Sequence, residues 1–235
     1  MSLLKIPLLF SDAIGMRITG TPPNNPLPSV EHIIPDWREN FLKSLAWPCI
    51  FLRLISWSIC IIETIVIFAH SFPSLPASHF ILSILTFNGN PDRIAITPLF
   101  LLGNILTVVG TVIRLHCYSA LGCLFTFELS IQKNHRLIIH GPYAVVRHPS
   151  YTGMILTILG AMCSQSTGSW VMECGLIGMW YGKVLALYWL LVAAAVIASL
   201  LLRVSVEDRL LHKRFGREWI EWNQRVPYRL IPGVY

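Results

Sequence analysis

The sequence predicts an all-α integral membrane protein, a multi-span helical bundle, from its composition and from the length of its apolar segments. Of its 235 residues, 54% are hydrophobic and 13% are charged, and the mean hydropathy is +0.60. Soluble domains carry charge on roughly a quarter of their residues, which excludes a water-soluble fold here. Apolar segments of about 20 residues, the length that crosses ~30 Å of hydrocarbon as a helix, recur along the chain.

Four segments meet this length requirement, and they predict four membrane spans. They cover residues 47–70, 97–117, 151–172 and 184–202, of which the last contains no charged residue. Residues 71–96 contain the apolar run HFILSILTF, which is too short to cross the bilayer alone. We therefore expect a half-helix or part of a fifth span in that region.

The chain divides into three regions by composition. Residues 1–46 form an N-terminal segment without a small-residue cleavage site, which argues against a removable signal peptide and is compatible with a membrane-surface position. Residues 47–121 carry the N-terminal transmembrane helices, and residues 122–235 carry the polar clusters discussed below.

Positive charge collects in two segments of this chain, whose net charge is +6. The tail 203–235 contains seven Lys and Arg residues, and the connection 131–148 contains Lys133, Arg136 and Arg147. Because short basic loops stay in the cytosol, we expect both segments on the cytosolic face. Residues 151–202 would then form a C-terminal helical hairpin, turned at Ser169–Gly175. In a membrane protein, positive charge of this kind typically contacts anionic lipid headgroups. We therefore expect membrane lipid, and no nucleic acid, as a partner.

Cysteines and small residues give weaker signals. The six cysteines form no CxxC pair, so we expect buried thiols with no metal site and no disulfide framework. Gly178, Gly182 and Ala186 lie four residues apart, which either allows close helix packing or reflects the abundance of glycine in membrane helices.

The connection before the hairpin carries the first polar cluster, HRLIIHGPYAVVRHPSYTG at 135–153. The alternating β-branched and aromatic residues of LFTFELSI and HRLIIHGPY predict a short β-hairpin turned at Lys133–Asn134. Pro149 excludes a helix before it, so we expect a helix from about Tyr151 with Ser150 as its N-cap. These polar groups suit either a polar ligand or a belt at the lipid headgroups.

The second polar cluster follows the last predicted span. Arg203 and Glu207 are four residues apart, so they lie on one face of a helix. In a cleft between helices, such a pair can bind both a cation and an anion. We expect most of the remaining charged residues to face solvent: Asp208, Arg209, Lys213, Arg214 and Arg217. We expect Trp219 and Trp222 to lie at the membrane interface.

The segment GPYAVVRHPSYTG, followed about fifty residues later by EDRLLHKRFGREWIEWNQRVP, resembles the isoprenylcysteine carboxyl methyltransferase family. The likeness covers roughly residues 100–235. Members of this family are multi-pass enzymes of the endoplasmic reticulum membrane, so the resemblance implies a cytosolic C-terminus and a cytosolic pocket for S-adenosyl-L-methionine. Membrane phospholipid N-methyltransferases share a similar pattern, and some sterol reductases share it more distantly.

The resemblance also implies roles for individual residues, and no metal site. Arg203 would face the carboxylate to be methylated, and residues 122–235 would form the methyltransferase catalytic region. Two departures from the family pattern are a shorter loop between Gln132 and His135 and an aspartate at Asp208. The implied cofactor-binding residues are Gln132, His135, Arg136, Leu137, Ile138, Tyr143, His148, Pro149, Ser150, Tyr151 and Glu207.

The implied reaction is methyl-esterification of the C-terminal prenylcysteine carboxylate of processed CaaX proteins. Prenylated protein C-termini, or another lipophilic substrate, and membrane lipid would be the partners. A carboxylate is ionised at neutral pH, so this transfer needs positioning more than a general base. The alternatives are methyl transfer to a phospholipid amine or to a lipophilic small-molecule carboxylate, and a non-enzymatic membrane scaffold.

Overall fold

The computed structural model describes residues 2–24, 44–87, 89–127 and 136–234. Within these ranges the secondary structure is helical, without strands. The α-helices are α1 Lys5–Thr19, α2 Ala46–Ser71, α3 Pro76–Leu85, α4 Pro98–Leu121, α5 Pro149–Ser164, α6 Trp170–Glu173, α7 Trp180–Phe215 and α8 Arg217–Arg225. Short 3-10 helices occupy Pro91–Arg93, Gly122–Leu124, Gly141–Ala144 and Leu176–Gly178.

Helices α2, α4 and α7 are long and apolar enough to cross a membrane. They contain the predicted spans 47–70 and 184–202, and the predicted span 97–117 except for its first residue, the N-cap Thr97. Large apolar side chains on their outer faces, such as Ile105 and Leu187, are exposed, as expected where lipid replaces water. The prediction of an all-α integral membrane bundle is confirmed.

The predicted span 151–172 is wrong as a single helix. Helix α5 has 16 residues, so at 1.5 Å per residue it covers about 24 Å, less than the ~30 Å of the hydrocarbon core. Its end is set by local polar chemistry, because the Ser169 hydroxyl donates to the Gln165 carbonyl at 2.9 Å and Gly168 has a φ of +78°. In the region between the first two spans, α3 forms the expected half-helix.

The closest helix contact in the bundle joins α4 and α5 through glycines. A Cβ added at Gly110 would lie 2.5 Å from the Gly153 carbonyl, and one at Gly103 would lie 2.5 Å from the Ser164 nitrogen. Gly178, by contrast, has open space around it. At Gly182 an added Cβ would overlap the Leu176 carbonyl, so this glycine does make a close contact, with the turn before α7. The close approach between α4 and α5 is made by their own glycines.

The predicted C-terminal hairpin is present, and its two arms meet through larger side chains. Ile158 of α5 belongs to one apolar cluster with Val192, Val196 and Leu200 of α7. The chain reverses between these helices at α6, within the predicted region, and at the 3-10 turn Leu176–Gly178 directly after it. The start of α5 and the last turns of α7 therefore lie at the same end of the bundle.

Helix α1 packs against α2, α4 and α5, so a position on the membrane surface apart from the bundle does not describe it. Buried polar pairs hold it there. The Lys5 Nζ atom lies 2.6 Å from Glu63 Oε1 and donates to the Gly168 carbonyl at 2.6 Å. Asn104 donates to the Asp12 carboxylate at 2.8 Å. A buried charge is stable only with such partners, so Glu63 fixes the register of α1 against α2.

The close glycine packing between α4 and α5 predicts that adding a single methyl group there destabilises the protein. Gly160→Ala should lower the free energy of unfolding by roughly 1–3 kcal/mol, since overpacking forces neighbouring groups apart. The added Cβ would lie 2.5 Å from the Gly103 carbonyl, which belongs to a rigid helix. Detergent-titrated unfolding measures this difference, with Gly178→Ala as the control. Equal stabilities of the two variants would contradict the packing described here.

Candidate functional site

The polar strip Arg147–Tyr151 forms the entrance to α5 and is bound to the C-terminal tail. The backbone amide of Arg147 donates to the Tyr228 carbonyl at 3.0 Å, and that of His148 donates to the Arg229 carbonyl at 2.8 Å. Pro149 is the first residue of α5, so the predicted interruption before it is confirmed. The tail therefore holds this strip against the end of the bundle.

A buried carboxylate, Asp208 of α7, connects this strip to the last turns of α7. Its Oδ1 lies 3.0 Å from His148 Nε2, and its Oδ2 lies 3.4 Å from Arg147 Nη2 and 3.5 Å from Arg229 Nε. Asp208 is 6% exposed, so the prediction of a solvated surface residue is wrong. Its charge is compensated by side chains at least 21 positions away in the sequence, which helical spacing alone does not reveal.

Glu207, Tyr151 and Arg203 meet beside this carboxylate. The Tyr151 hydroxyl donates to Glu207 Oε2, and the His148 ring stacks on the Tyr151 ring at 5.5 Å between centroids. Arg203 Nε lies 4.0 Å from Glu207 Oε2, the predicted i to i+4 pair. The Glu207 side chain keeps 30% of its surface exposed, so this carboxylate can still accept hydrogen bonds from a ligand.

The guanidinium of Arg203 is held from a second direction. Its Nη1 donates to the Phe127 carbonyl, so the segment after α4 reaches the same cluster. Arg203 itself is buried. A buried guanidinium between a carboxylate and a carbonyl has a defined orientation, which is a property of side chains that bind planar anions.

Arg114 of α4 is a site residue that the sequence reasoning missed. Its Nη1 donates to the Ser150 hydroxyl at 2.8 Å and its Nη2 to the Thr19 carbonyl at 2.9 Å. The prediction of Ser150 as a helix N-cap is therefore wrong: the helix begins two residues earlier than predicted, at Pro149, and the Ser150 hydroxyl accepts from Arg114 instead. An arginine within an apolar span is the signal that could have identified it, since such charges are usually paired and functional.

Tyr143 and Trp222 belong to one apolar cluster at this end of the bundle. The Trp222 indole donates to the Tyr143 carbonyl at 3.1 Å, and Trp222 is buried rather than interfacial, which corrects the prediction for it. Burial, with lesser contributions from Cys117 and Glu207, raises the pKa of the Tyr143 hydroxyl well above 10. Tyr143 is therefore a neutral donor or acceptor at physiological pH.

The remaining predicted site residues lie in and beside the connection 128–140. Leu137 and Ile138 are half-buried and pack against the cluster that contains Tyr143, whereas Arg136 is exposed. Gln132 and His135 lie outside the described residues, as does the predicted hairpin turn at Lys133–Asn134. The described flanks of that turn, 125–127 and 136–140, contain no strand.

Sequence comparison identifies the segment that carries this cluster. The profile of the isoprenylcysteine carboxyl methyltransferase family matches residues 103–213, which include Arg114, the Arg147–Tyr151 strip and the Arg203–Asp208 turn. Residues 103–213 are therefore similar to this family. The polar cluster is thus assembled largely from this segment, with Arg229 and the tail added from outside it.

Individual relatives agree with this similarity. Protein-S-isoprenylcysteine O-methyltransferase B of Arabidopsis thaliana is 29% identical over 127 residues, which cover 53% of this chain and 55% of the relative. Form A from the same plant is 29% identical over 126 residues, with the same coverage of both chains. A Delta(14)-sterol reductase of Mus musculus is 31% identical over 100 residues, or 43% of this chain and 20% of the relative. The chain spans about half the length of the methyltransferases it matches.

The burial of Asp208 predicts a large loss of stability on neutralisation. Asp208→Asn keeps the shape of the side chain but leaves Arg147 without its carboxylate, which should cost about 3 kcal/mol, as for other broken buried ion pairs. Detergent-titrated unfolding measures the loss. Glu218→Gln removes one negative charge from an exposed position on α8 and serves as the control. If both variants unfold alike, Asp208 does not hold the strip in place.

Proposed function

We propose that this protein transfers a methyl group from S-adenosyl-L-methionine to the C-terminal carboxylate of a prenylated cysteine. The observation that carries the proposal is the meeting of Tyr151, Glu207 and Arg203 at one end of a membrane bundle. This cluster lies within the family segment, and the plant relatives are named for this activity. A carboxylate beside a guanidinium suits a cationic cofactor next to an anionic acceptor.

The residues of the cluster fit such a cofactor. The Glu207 carboxylate accepts a hydrogen bond from the Tyr151 phenol and is partly exposed. Its remaining acceptor positions can bind an ammonium group. The stacked rings of His148 and Tyr151 offer aromatic surface, which attracts cations. In this proposal the other pocket residues are those implied by the family resemblance: Gln132, His135, Arg136, Leu137, Ile138, Tyr143, Pro149 and Ser150.

The acceptor would be positioned by Arg203. When bound, S-adenosyl-L-methionine supplies a methyl group already activated on a sulfonium. A substrate carboxylate is ionised near pH 7, so it needs no base. Arg203, fixed by Phe127 and Glu207, would orient this anion through its planar set of donors. Holding the two reactants in line accounts for most of the rate acceleration required.

The surroundings of Arg203 suit a lipid-borne acceptor. Leu201 and Leu202, directly before it in α7, are exposed apolar residues. In this proposal a prenyl chain reaches the cluster from the lipid, while the cofactor arrives from the cytosol. Because basic segments favour the cytosol, we propose that this end of the bundle, with its basic tail, faces the cytosol. We propose a multi-pass position in the endoplasmic reticulum membrane, with prenylated protein C-termini and membrane lipid as partners.

Binding of S-adenosylhomocysteine tests the cofactor site. Glu207→Gln and Tyr151→Phe should each weaken binding by about tenfold or more, since each removes a hydrogen bond to or from a charged group. Lys213→Gln changes an exposed charge on the same helix and should leave binding unchanged. Isothermal titration calorimetry of the purified protein in nanodiscs measures all three affinities. Equal affinities would exclude Glu207 and Tyr151 from the cofactor site.

Methyl transfer with labelled cofactor tests the acceptor. We expect methylation of N-acetyl-S-farnesylcysteine, lowered by about 100-fold or more in Arg203→Ala, because a charged orienting group contributes several kcal/mol. Arg203→Lys should recover only part of the rate. Methylation of phosphatidylethanolamine instead would assign a phospholipid amine as the acceptor. Absence of both cofactor binding and transfer would favour the scaffold alternative.

A further inference from the structure

A second polar feature adjoins the cluster. A cavity of about 450 Å³ lies between the last turns of α7, helix α8 and the C-terminal tail. Tyr151, Glu207 and Arg203 are not among the residues that line it. The cavity is therefore separate from the proposed methyl-transfer site, although the two share the Asp208 side chain. The lining includes Arg147, Asp208, Arg209, Trp219, Asn223 and Arg229.

The charge of this cavity is strongly unbalanced. Three guanidinium groups, from Arg147, Arg209 and Arg229, line it together with a single carboxylate. That carboxylate, Asp208, also pairs with His148 at 3.0 Å and approaches the two nearest guanidinium groups only to 3.4 and 3.5 Å. An excess of positive charge thus faces the cavity. Guanidinium groups match the geometry of phosphate oxygens and bind them through paired hydrogen bonds.

Trp219 forms one wall of the cavity. The Arg147 guanidinium lies 5.8 Å from the Trp219 ring centroid, and the His212 ring lies 5.1 Å away. The indole ring therefore packs beside one of the guanidinium groups that line the cavity.

We propose that this cavity binds a phosphate group, with Arg209, Arg229 and Arg147 as the charged donors. The volume exceeds that of a bare phosphate, so the ligand is a larger molecule that carries the group. Two sources have this chemistry, the headgroup of an anionic phospholipid and a soluble organic phosphate. The proposal is independent of the methyl-transfer reaction, since it rests on a different cavity and is tested by binding alone.

Equilibrium binding of radiolabelled inorganic phosphate to the full chain in phosphatidylcholine nanodiscs tests the proposal. We expect saturable binding that excess unlabelled phosphate displaces and chloride at the same ionic strength does not. Arg209→Gln and Arg229→Gln should each lower the affinity by about tenfold. Lys213→Gln, an exposed cation on the same helix as Arg209 that is not part of the lining, is the matched control.

Nanodiscs that contain phosphatidic acid distinguish between the two sources of the phosphate group. If labelled phosphate binds in phosphatidylcholine nanodiscs but not in those that contain phosphatidic acid, the lipid headgroup occupies the cavity. If it binds equally well in both, the ligand is a soluble phosphate. Absence of saturable binding in the wild-type protein, or equal losses in Arg209→Gln and Lys213→Gln, overturns the proposal. Arg209 is exposed at the surface, so its substitution tests the site without depending on the fold.

Discussion

The buried carboxylate of Asp208 is the constraint on which the rest of this end of the molecule depends. It lies between Arg147 and His148 at the entrance to α5 and Arg229 in the tail. A carboxylate in such surroundings is stable only if these cations stay close to it. Their positions therefore fix α5 and the tail against α7. That registration brings the next residue, Glu207, to the Tyr151 hydroxyl.

The helices below this network supply its rigidity. Glycines let α4 and α5 approach until backbone atoms nearly touch, so the two move as one unit. Arg114 then ties the start of α5 to the end of α1 through Ser150 and the Thr19 carbonyl. Since the other end of α1 is held by the Lys5–Glu63 pair, the cluster is supported along the whole length of the bundle.

Local sequence patterns predicted the features that depend on neighbours in the chain. Helical spacing placed Arg203 and Glu207 on one face, and the conformational limits of proline placed the start of α5 at the strip. The burial of Asp208 and the role of Arg114 depend on residues from distant segments, which periodicity does not encode. For the same reason the glycines of α4 and α5 escaped notice, while of the regularly spaced Gly178 and Gly182 only Gly182 makes a close contact.

The shared Asp208 side chain links the two polar sites electrostatically. A carboxylate only accepts hydrogen bonds, so the His148 Nε2 atom at 3.0 Å carries the proton. The other ring nitrogen lies 3.8 Å from Glu207 Oε2, which makes His148 the bridge between the two carboxylates. An anion bound to Arg147 and Arg229 would compete with Asp208 for both guanidinium groups and leave His148 as its main partner. His148 thus connects residues of the two proposed sites, and if one ligand changes the affinity for the other, the effect must by linkage be reciprocal.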